Sequence, residues 1–287
     1  MPIDAVGHDL FLRHLDSWVP DALRRARRAT VVLGYDGADA HLAEETLRLA
    51  GEHATRLRGC RLTVLVLADG TEELPSRLGA AEARLPADVA VHLMPGPPGR
   101  LPVALRAAGA AGAPVLSYLE AADPVDPVAL TAAATGRPAE ALVVAAAGTP
   151  LRLALADAGF PLVTDVELVD AGRRIGFGTG SDRSLESMKE SLWATGQRCR
   201  DPQGAPLSPT QEVDPAPLGR ALLDELARRG PRTVTELRRY AVTDTAYRAV
   251  DAVRALTALL DAGAVTREPE RGRLGGDVLV TPARSTA

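Results

Sequence analysis

Short apolar runs alternate with amphipathic segments along the first two thirds of the chain. Runs of consecutive apolar residues predict buried strands, and apolar residues that recur every three or four positions predict helices between them. Five strands are predicted in this way: 30–33, 61–68, 89–93, 114–119 and 140–147. Two further strands, 160–171 and 173–179, flank Gly172 and predict an antiparallel hairpin. The pattern therefore predicts an α/β fold with a Rossmann-like doubly wound sheet that ends in a β-hairpin.

The remaining segments predict a helical N-terminus, a linker and a second domain. Residues 1–29 have apolar positions at helical spacing that Pro20 interrupts, so two short helices are expected there. Residues 201–217 contain five prolines and no periodic apolar positions, which is typical of a semi-rigid linker. Residues 218–287 predict three helices and two short strands, the order of a winged helix-turn-helix domain. The α/β domain is accordingly predicted over residues 30–200.

Composition supports two domains and limits the function classes. A chain of 287 residues with 46% hydrophobic content can bury an α/β core and a second, smaller core. No apolar run approaches the roughly 20 residues that cross a bilayer, and the N-terminus lacks a signal-peptide pattern, so we expect a cytoplasmic protein with no membrane partner. The net charge of −4 leaves any nucleic-acid contact to a local patch. Cys60 and Cys199 are far apart, and neither a disulfide nor a metal site is expected.

Two glycines and two aspartates follow the first predicted strand. Gly34 and Gly37 would let backbone N–H groups approach a ligand at the start of the next helix. Asp36 and Asp39 would repel a pyrophosphate, but they can bond the ammonium group or the ribose hydroxyls of S-adenosylmethionine. This corner argues against a dinucleotide and for a methyltransferase-like cofactor site. The alternative is that both aspartates only turn the chain and cap the next helix.

Acidic residues also follow the second and fourth predicted strands. Asp69 is placed where an acid accepts hydrogen bonds from ribose hydroxyls, although it could equally belong to an ordinary turn. Glu120, Asp123 and Asp126 follow the fourth strand, where a substrate would lie in such a sheet. We assign Glu120 and Asp123 as the candidate catalytic residues near a methyl acceptor. The alternative is that each Asp-Pro pair starts a turn or opens a helix.

The segment L-E-S-M-K-E-S-L-W at residues 185–193, which follows a strand and Gly-Thr, resembles the three-Cys-motif partner proteins. That family combines a class I methyltransferase-like domain with a GMT-like winged-helix C-terminal domain. The opening helix F-L-R-H-L-D-S-W-V-P and the segment Y-L-E-A-A-D-P are similar to the family as well. Family members that resemble active enzymes carry D-G-F-A-G-P-G where this chain has G-Y-D-G-A-D-A, and Phe-Gly where it has Val125-Asp126. The resemblance therefore implies a divergent member whose S-adenosylmethionine site is degenerate and whose activity is weak or lost.

Winged helices commonly place their third helix in the major groove of DNA. The candidate nucleic-acid contacts are the arginines of the second helix, the third helix and the wing: Arg238, Arg239, Arg248, Arg254, Arg271 and Arg273. Acidic residues interrupt this patch, so a protein partner is an equal alternative to DNA or RNA. The rival hypothesis to a methyltransferase is thus a nucleic-acid-binding or regulatory protein whose α/β domain is a scaffold or a dimerisation unit. A protein-interaction module of a small bacterial operon is a third possibility.

Overall fold

The computed structural model describes residues 5–35, 40–53, 59–68, 73–121, 125–200, 206–209 and 214–283. The chain forms two compact units. Unit 1 comprises Met1–Val163 and Ala171–Ser181, and unit 2 comprises Thr164–Asp170 and Asp182–Ala287. The predicted start of the second domain, at residue 218, lies inside unit 2. The domain boundaries at residues 29, 200 and 217 therefore stay a prediction.

A parallel-dominated sheet forms the centre of unit 1. Its strands are β1 (Arg28–Gly34), β2 (Arg61–Leu67), β3 (Val89–Met94), β4 (Val115–Glu120), β5 (Ala139–Ala146) and β7 (Arg173–Thr179). Strand β6 (Leu162–Leu168) begins in unit 1 and lies mostly in unit 2, which includes Thr164–Asp170. Within unit 1 the strand order is β3-β2-β1-β4-β5-β7. The first five strands are parallel to their neighbours, and β7 runs antiparallel to β5. The Rossmann-like α/β fold predicted from the apolar runs is confirmed.

Helices cover both faces of this sheet. They are α1 (Ala5–Arg25), α2 (His41–Glu52), α3 (Glu73–Glu82), α4 (Leu101–Ala107), α5 (Pro127–Ala133) and α6 (Leu151–Asp157), with a 3₁₀ turn at Pro98–Arg100. Helix α1 packs on α2 and α2 on α3, whereas α4 packs on α5 and α5 on α6. Right-handed crossovers place these two layers on opposite faces. The layers explain why β1 and β2 are buried at every position after the first.

The N-terminal segment differs from the sequence expectation. It forms one continuous helix, α1, although Pro20 lies inside it. A proline removes one helical hydrogen bond and usually kinks or breaks a helix. Here apolar side chains are buried on both sides of the proline, including Trp18 and Val19 before it and Ala22 after it. Because one face of the helix packs along its whole length, this packing offsets the free-energy cost of the hydrogen bond that Pro20 removes.

Helix α1 lies with its backbone directly against the sheet. A Cβ atom at Gly7 would lie 2.8 Å from Val144 Cγ2 and 3.2 Å from Tyr118 Oη. Only glycine permits this approach, because any other residue would push α1 away from β4 and β5. The close contact brings the polar residues of α1 within reach of the strands.

Unit 2 contains the three helices and the two strands that the sequence predicts after residue 218. Its elements are α7 (Asp182–Ala194), β8 (Cys199–Arg200), β9 (Pro206–Leu207), α8 (Ala216–Arg229), β10 (Arg232–Thr233), α9 (Val234–Asp244), α10 (Ala249–Asp261), β11 (Val265–Glu268) and β12 (Leu279–Pro282). Strands β10, β12 and β11 form a small antiparallel sheet in that order. Strand β9 and the start of α8 fall within the predicted linker.

Helix α7 belongs to the core of unit 2. Trp193 at its C-terminal end is buried with Leu222, Leu237 and Leu256 of the three following helices. Its indole N–H donates a hydrogen bond of 2.9 Å to the Ala246 carbonyl. Trp193 therefore joins the C-terminal end of α7 to the core that α8, α9 and α10 form.

Candidate functional site

The order of the strands creates a crevice at the carboxyl ends of β1 and β4. From β1 the chain proceeds to β2 on one side, whereas β4 lies on the other side of β1. The connections that leave two such neighbours diverge, and ligands of open α/β sheets bind in the gap. Gly34 pairs in register with Leu119, and Glu120 is the next residue on β4. Gly34 and Glu120 therefore border the crevice from adjacent strands.

Gly34 has no room for a side chain. A Cβ atom there would lie 2.8 Å from Leu119 Cδ2 and 3.4 Å from the Cβ of Pro98. The backbone at the end of β1 is thus enclosed by β4 and by the turn that precedes α4. A glycine at this position is consistent with the predicted close approach of backbone to ligand.

Glu120 belongs to a polar cluster with two aromatic partners. Tyr118 Oη donates a hydrogen bond of 3.0 Å to Glu120 Oε1, and His8 Nε2 lies 3.4 Å from the same oxygen. The side chains of His8 and Glu120 are 16% and 26% exposed, so the cluster is partly shielded but still reaches solvent. The His8 and Tyr118 rings meet edge to face with centroids 5.5 Å apart. A carboxylate held in this way can accept a proton or orient a donor group.

His8 was not predicted as a site residue. Its partner is 112 residues away in the sequence, so no local motif connects them. Its position in the sequence could have indicated the contact. His8 comes three residues before the buried Phe11, and residues three apart share a face of a helix. A histidine on an otherwise apolar helical face that packs on a sheet is a candidate partner for a strand carboxylate.

A second polar cluster lies deeper, at the middle of α1. His14 Nε2 is 2.6 Å from Glu140 Oε2, and Thr179 Oγ1 donates to Glu140 Oε1 at 3.2 Å. The side chains of His14 and Glu140 are each 4% exposed, which leaves no room for a bulky substrate. Glu140 is near the start of β5, hence at the edge opposite the crevice. We assign this cluster to fixing α1 on the sheet.

Several predicted site residues lie outside the described part of the chain. They are Asp36, Gly37, Asp39, Asp69 and Asp123, and their roles stay predictions. Asp126 is described, and it caps α5 by accepting hydrogen bonds from Val128 N at 2.8 Å and Ala129 N at 3.4 Å. The helix-opening alternative for this Asp-Pro pair is therefore confirmed.

The described residues offer no metal centre and no membrane span. Among them, no group of three or more His, Cys, Asp or Glu side chains is arranged to hold a metal ion. None of the helices in the described ranges combines the length and the apolar composition that crossing a membrane requires. The site is thus characterised by its hydrogen-bonded carboxylate, histidine and tyrosine.

The arginines predicted to contact nucleic acid largely face carboxylates of unit 2. Arg238 binds Glu186 at 2.9 Å, and Arg239 binds Asp182 at 2.7 Å. The hydrogen bonds that Arg239 donates to Asp182 raise the pKa of Arg239 above its ordinary value, since they stabilise the charged form. Each such pair lowers the local positive potential available to a phosphate.

Arg248, at the start of α10, is held by several groups at once. It contacts Asp251 at 3.0 Å and Glu190 at 3.3 Å, and its guanidinium carbon lies 4.2 Å from the centroid of the Trp193 ring. The hydrogen bond to Asp251 is the main reason that the pKa of Arg248 is raised. Arg254 lies 3.6 Å from Asp251 but is 64% exposed. Arg271 and Arg273 are exposed in the loop between β11 and β12.

Comparisons with known proteins leave the family open. No protein-family model matches the chain, and no curated protein sequence matches it. Among solved structures, the chain is similar to a crystal structure described as a predicted O-methyltransferase, protein Atu636 from Agrobacterium tumefaciens. The identity is 15%, and the alignment covers 61% of this chain and 81% of that chain with a TM-score of 0.35. An identity and a TM-score this low support no statement about activity, so the proposed function rests on the residues of the site.

Proposed function

We propose that this protein is a methyltransferase-like S-adenosylmethionine-binding protein in which methyl transfer is weak or lost. The observation that carries the proposal is the crevice between β1 and β4, bordered by Gly34 and Glu120. Ligands of this sheet type bind at such a switch point. Gly34 itself is explained by packing, because a Cβ atom there would be 2.8 Å from Leu119 Cδ2.

S-Adenosylmethionine, when bound, supplies an electrophilic methyl group. The residues assigned to hold it are Gly34, Asp36, Gly37, Asp39 and Asp69. Carboxylates in this set suit a cationic ammonium group and ribose hydroxyls, and they disfavour a dinucleotide pyrophosphate. Methyl transfer depends mainly on alignment of the reacting atoms, so the positioning of ligand and acceptor matters more than a strong base.

Glu120 is the residue placed to accept a proton from a methyl acceptor, with Asp123 as the second predicted catalytic residue. His8 and Tyr118 orient Glu120 at its Oε1 oxygen. Two departures support weak or lost transfer: the G-Y-D-G-A-D-A corner after β1, and Asp126, which serves as a helix cap rather than part of an Asp-Pro-Phe-Gly motif. The proposal is therefore a degenerate S-adenosylmethionine site in which methyl transfer is weak or lost.

Isothermal titration calorimetry with S-adenosylmethionine and S-adenosylhomocysteine tests the proposal. We expect micromolar binding of both ligands, weakened at least tenfold by Asp69→Ala. Asp157→Ala, which removes an exposed acid from α6, is the matched control and should bind like the parent protein. Absence of heat with either ligand, from protein with a normal unfolding transition, would rule out the cofactor site.

A second candidate is nucleic-acid binding by unit 2, which we propose as a winged helix-turn-helix domain. The observation in its favour is the exposure of Arg254, Arg271 and Arg273 on α10 and on the β11–β12 loop. Under this hypothesis unit 1 is a scaffold or a dimerisation unit. If the basic surface does not attract nucleic acid strongly enough to bind it, the partner of unit 2 is a protein instead.

Fluorescence anisotropy with labelled duplex DNA and single-stranded RNA distinguishes these readings. Binding that falls steeply with salt, and that the double variant Arg271→Ala, Arg273→Ala weakens, would support nucleic-acid recognition. Arg183→Ala removes an exposed arginine of α7 and is the control. Binding that is unaffected by the wing variant would reject the assignment of these arginines.

A further inference from the structure

An open groove of about 730 Å³ lies between α4 and α5 on unit 1. Its lining is mostly apolar, and its floor includes Leu105, Ala110 and Ala132, all buried. We call this surface the α4–α5 groove. Its volume is within the roughly 300–1,000 Å³ that small-molecule sites occupy. The groove is separate from the crevice at Gly34 and Glu120, because none of the crevice residues lines it.

Small residues and short helices explain why the groove is open. Ala110 and Ala132 contribute only a methyl group each where a leucine would fill the space. Helices α4 and α5 have seven residues each, so each is only about 10 Å long. Val128 of α5 lines the groove and is 53% exposed, which is unusual for a large apolar side chain. An apolar surface of this kind is stabilised when a ligand covers it.

The charged residues of the groove are confined to one end. Both α4 and α5 lead from the carboxyl edge of the parallel sheet back to its amino edge, since each precedes a parallel strand. Arg106 is in the last turn of α4, and Arg137 comes two residues before β5. Pro102 and Pro127, at the starts of the helices, line the opposite end. The groove therefore has a cationic end and an apolar end.

Among the described residues, no acidic residue lines the groove. Arg106 and Arg137 are both exposed, and neither forms an ion pair with a carboxylate in the described part of the chain. The guanidinium group of Arg137 donates to the Gly136 carbonyl at 3.4 Å, a contact within its own turn. Two guanidinium groups at one end of an apolar surface are complementary to a single carboxylate that carries an apolar tail.

We propose that the α4–α5 groove binds a medium-chain fatty acid, with its carboxylate at Arg106 and Arg137 and its chain along Leu105, Ala132 and Val128 towards Pro102 and Pro127. The separation of charge from apolar surface favours a molecule with one head and one tail. An amphipathic helix carries its charged residues opposite its apolar stripe, so it would leave the two arginines at the end of the apolar surface without a carboxylate.

Calorimetric titration of the full chain with decanoate, below the concentration at which it forms micelles, tests the proposal. We expect one molecule of decanoate per chain. Butyrate keeps the headgroup but lacks the tail, and decyltrimethylammonium keeps the tail but reverses the charge; each should bind at least tenfold more weakly. Loss of a charge-assisted contact is worth about tenfold or more in the dissociation constant.

Three variants locate the site. Arg106→Glu and Thr131→Trp change exposed positions, so the fold should persist; the first reverses the charge at the head end and the second covers the groove. Both should weaken decanoate binding at least tenfold, whereas Arg183→Glu, which reverses an exposed arginine of α7, should not. Light scattering should show that the chain does not self-associate through this face.

Three results would overturn the proposal. Equal binding of decanoate and decyltrimethylammonium, or decanoate binding that survives both groove variants, would indicate unspecific adsorption. Dimerisation that Thr131→Trp abolishes would show that a second copy of the chain occupies the groove instead. None of these results depends on S-adenosylmethionine binding, so the cofactor proposal and this one can fail separately.

Discussion

Tyr118 donates a hydrogen bond of 3.0 Å to Glu120 on the same strand, β4. Residues two apart in a strand project from the same face of a sheet, so both side chains point towards α1. His8 of α1 approaches the shared oxygen at 3.4 Å. A strand and a helix 112 residues apart thus orient one carboxylate at the edge of the crevice.

This relationship predicts energetic coupling between Tyr118 and Glu120. In a double-mutant cycle of Tyr118→Phe and Glu120→Ala, we expect a coupling free energy of about 0.5–1.5 kcal/mol in urea unfolding. A cycle is needed because Tyr118 has further interactions, which cancel in the difference. Tyr118→Phe combined with Glu73→Ala, an exposed acid on α3, is the control and should be additive within about 0.5 kcal/mol. Additivity in the first pair would contradict the proposed orientation of Glu120.

The buried pair of His14 and Glu140 predicts a larger effect on stability. His14→Ala removes a partner at 2.6 Å from a carboxylate that is 4% exposed. We expect a loss of about 3 kcal/mol or more in the free energy of unfolding, because Glu140 would remain buried with Thr179 as its remaining hydrogen-bond donor.

The pair of His53 and Asp16 provides the comparison, since its carboxylate is 64% exposed although the distance is 3.0 Å. Asp16→Ala should cost about 1 kcal/mol or less in the same urea experiment. Equal costs for the two variants would show that burial does not distinguish these pairs, and that α1 is held by apolar packing alone.

The contrast between these clusters and the sheet explains what could be predicted from the sequence. The strands were predictable because burial on both faces demands runs of apolar residues, as in 61–68 and 140–147. The corner at Gly34 was predictable because it immediately follows such a run. His8 and His14 were not, since each contacts an acid more than 100 residues away, and only the fold brings them together.

Local signals also failed where packing overrides them. Pro20 predicts a break that α1 does not have, because the buried residues around the proline hold the helix in one piece. The ion pairs of Arg238 and Arg248 with Glu186 and Glu190 of α7 also escaped prediction, because the partners are more than 50 residues apart in the sequence. Asp126 shows the opposite case: its capping role follows directly from the Asp-Pro pair.

The capping box at the start of α9 predicts a specific pH dependence. Hydrogen bonding from the Thr233 backbone N–H, at 2.8 Å, and then from Arg232 lowers the pKa of Glu236 below its ordinary value of 4.5. A lowered pKa in the folded state means that the stabilisation is complete above the unfolded pKa and is lost as the pH falls through the folded value.

Glu236→Ala should therefore cost about 1 kcal/mol at pH 7, and the difference from the parent protein should shrink as the pH falls below the ordinary value of 4.5. Urea unfolding at a series of pH values measures this. Glu270→Ala, in the exposed β11–β12 loop, should show no such change. If the loss of unfolding free energy in Glu236→Ala does not change with pH, the charge of the carboxylate is not what stabilises the start of α9.

The two cysteines should differ sharply in reactivity. Cys199 is buried on β8, and desolvation raises the pKa of its thiol to about 11, despite the opposing effect of Lys189. At pH 8 only about one such thiol in a thousand is ionised, and the thiolate is the reactive form. Cys60 is partly exposed.

A chromogenic disulfide reagent should therefore label one thiol quickly in the folded protein and the second only when urea unfolds it. Cys60→Ser should remove the fast phase, and Cys199→Ser should leave it intact. A fast phase that persists in Cys60→Ser would mean that β8 opens readily and that Cys199 is not held in the core of unit 2.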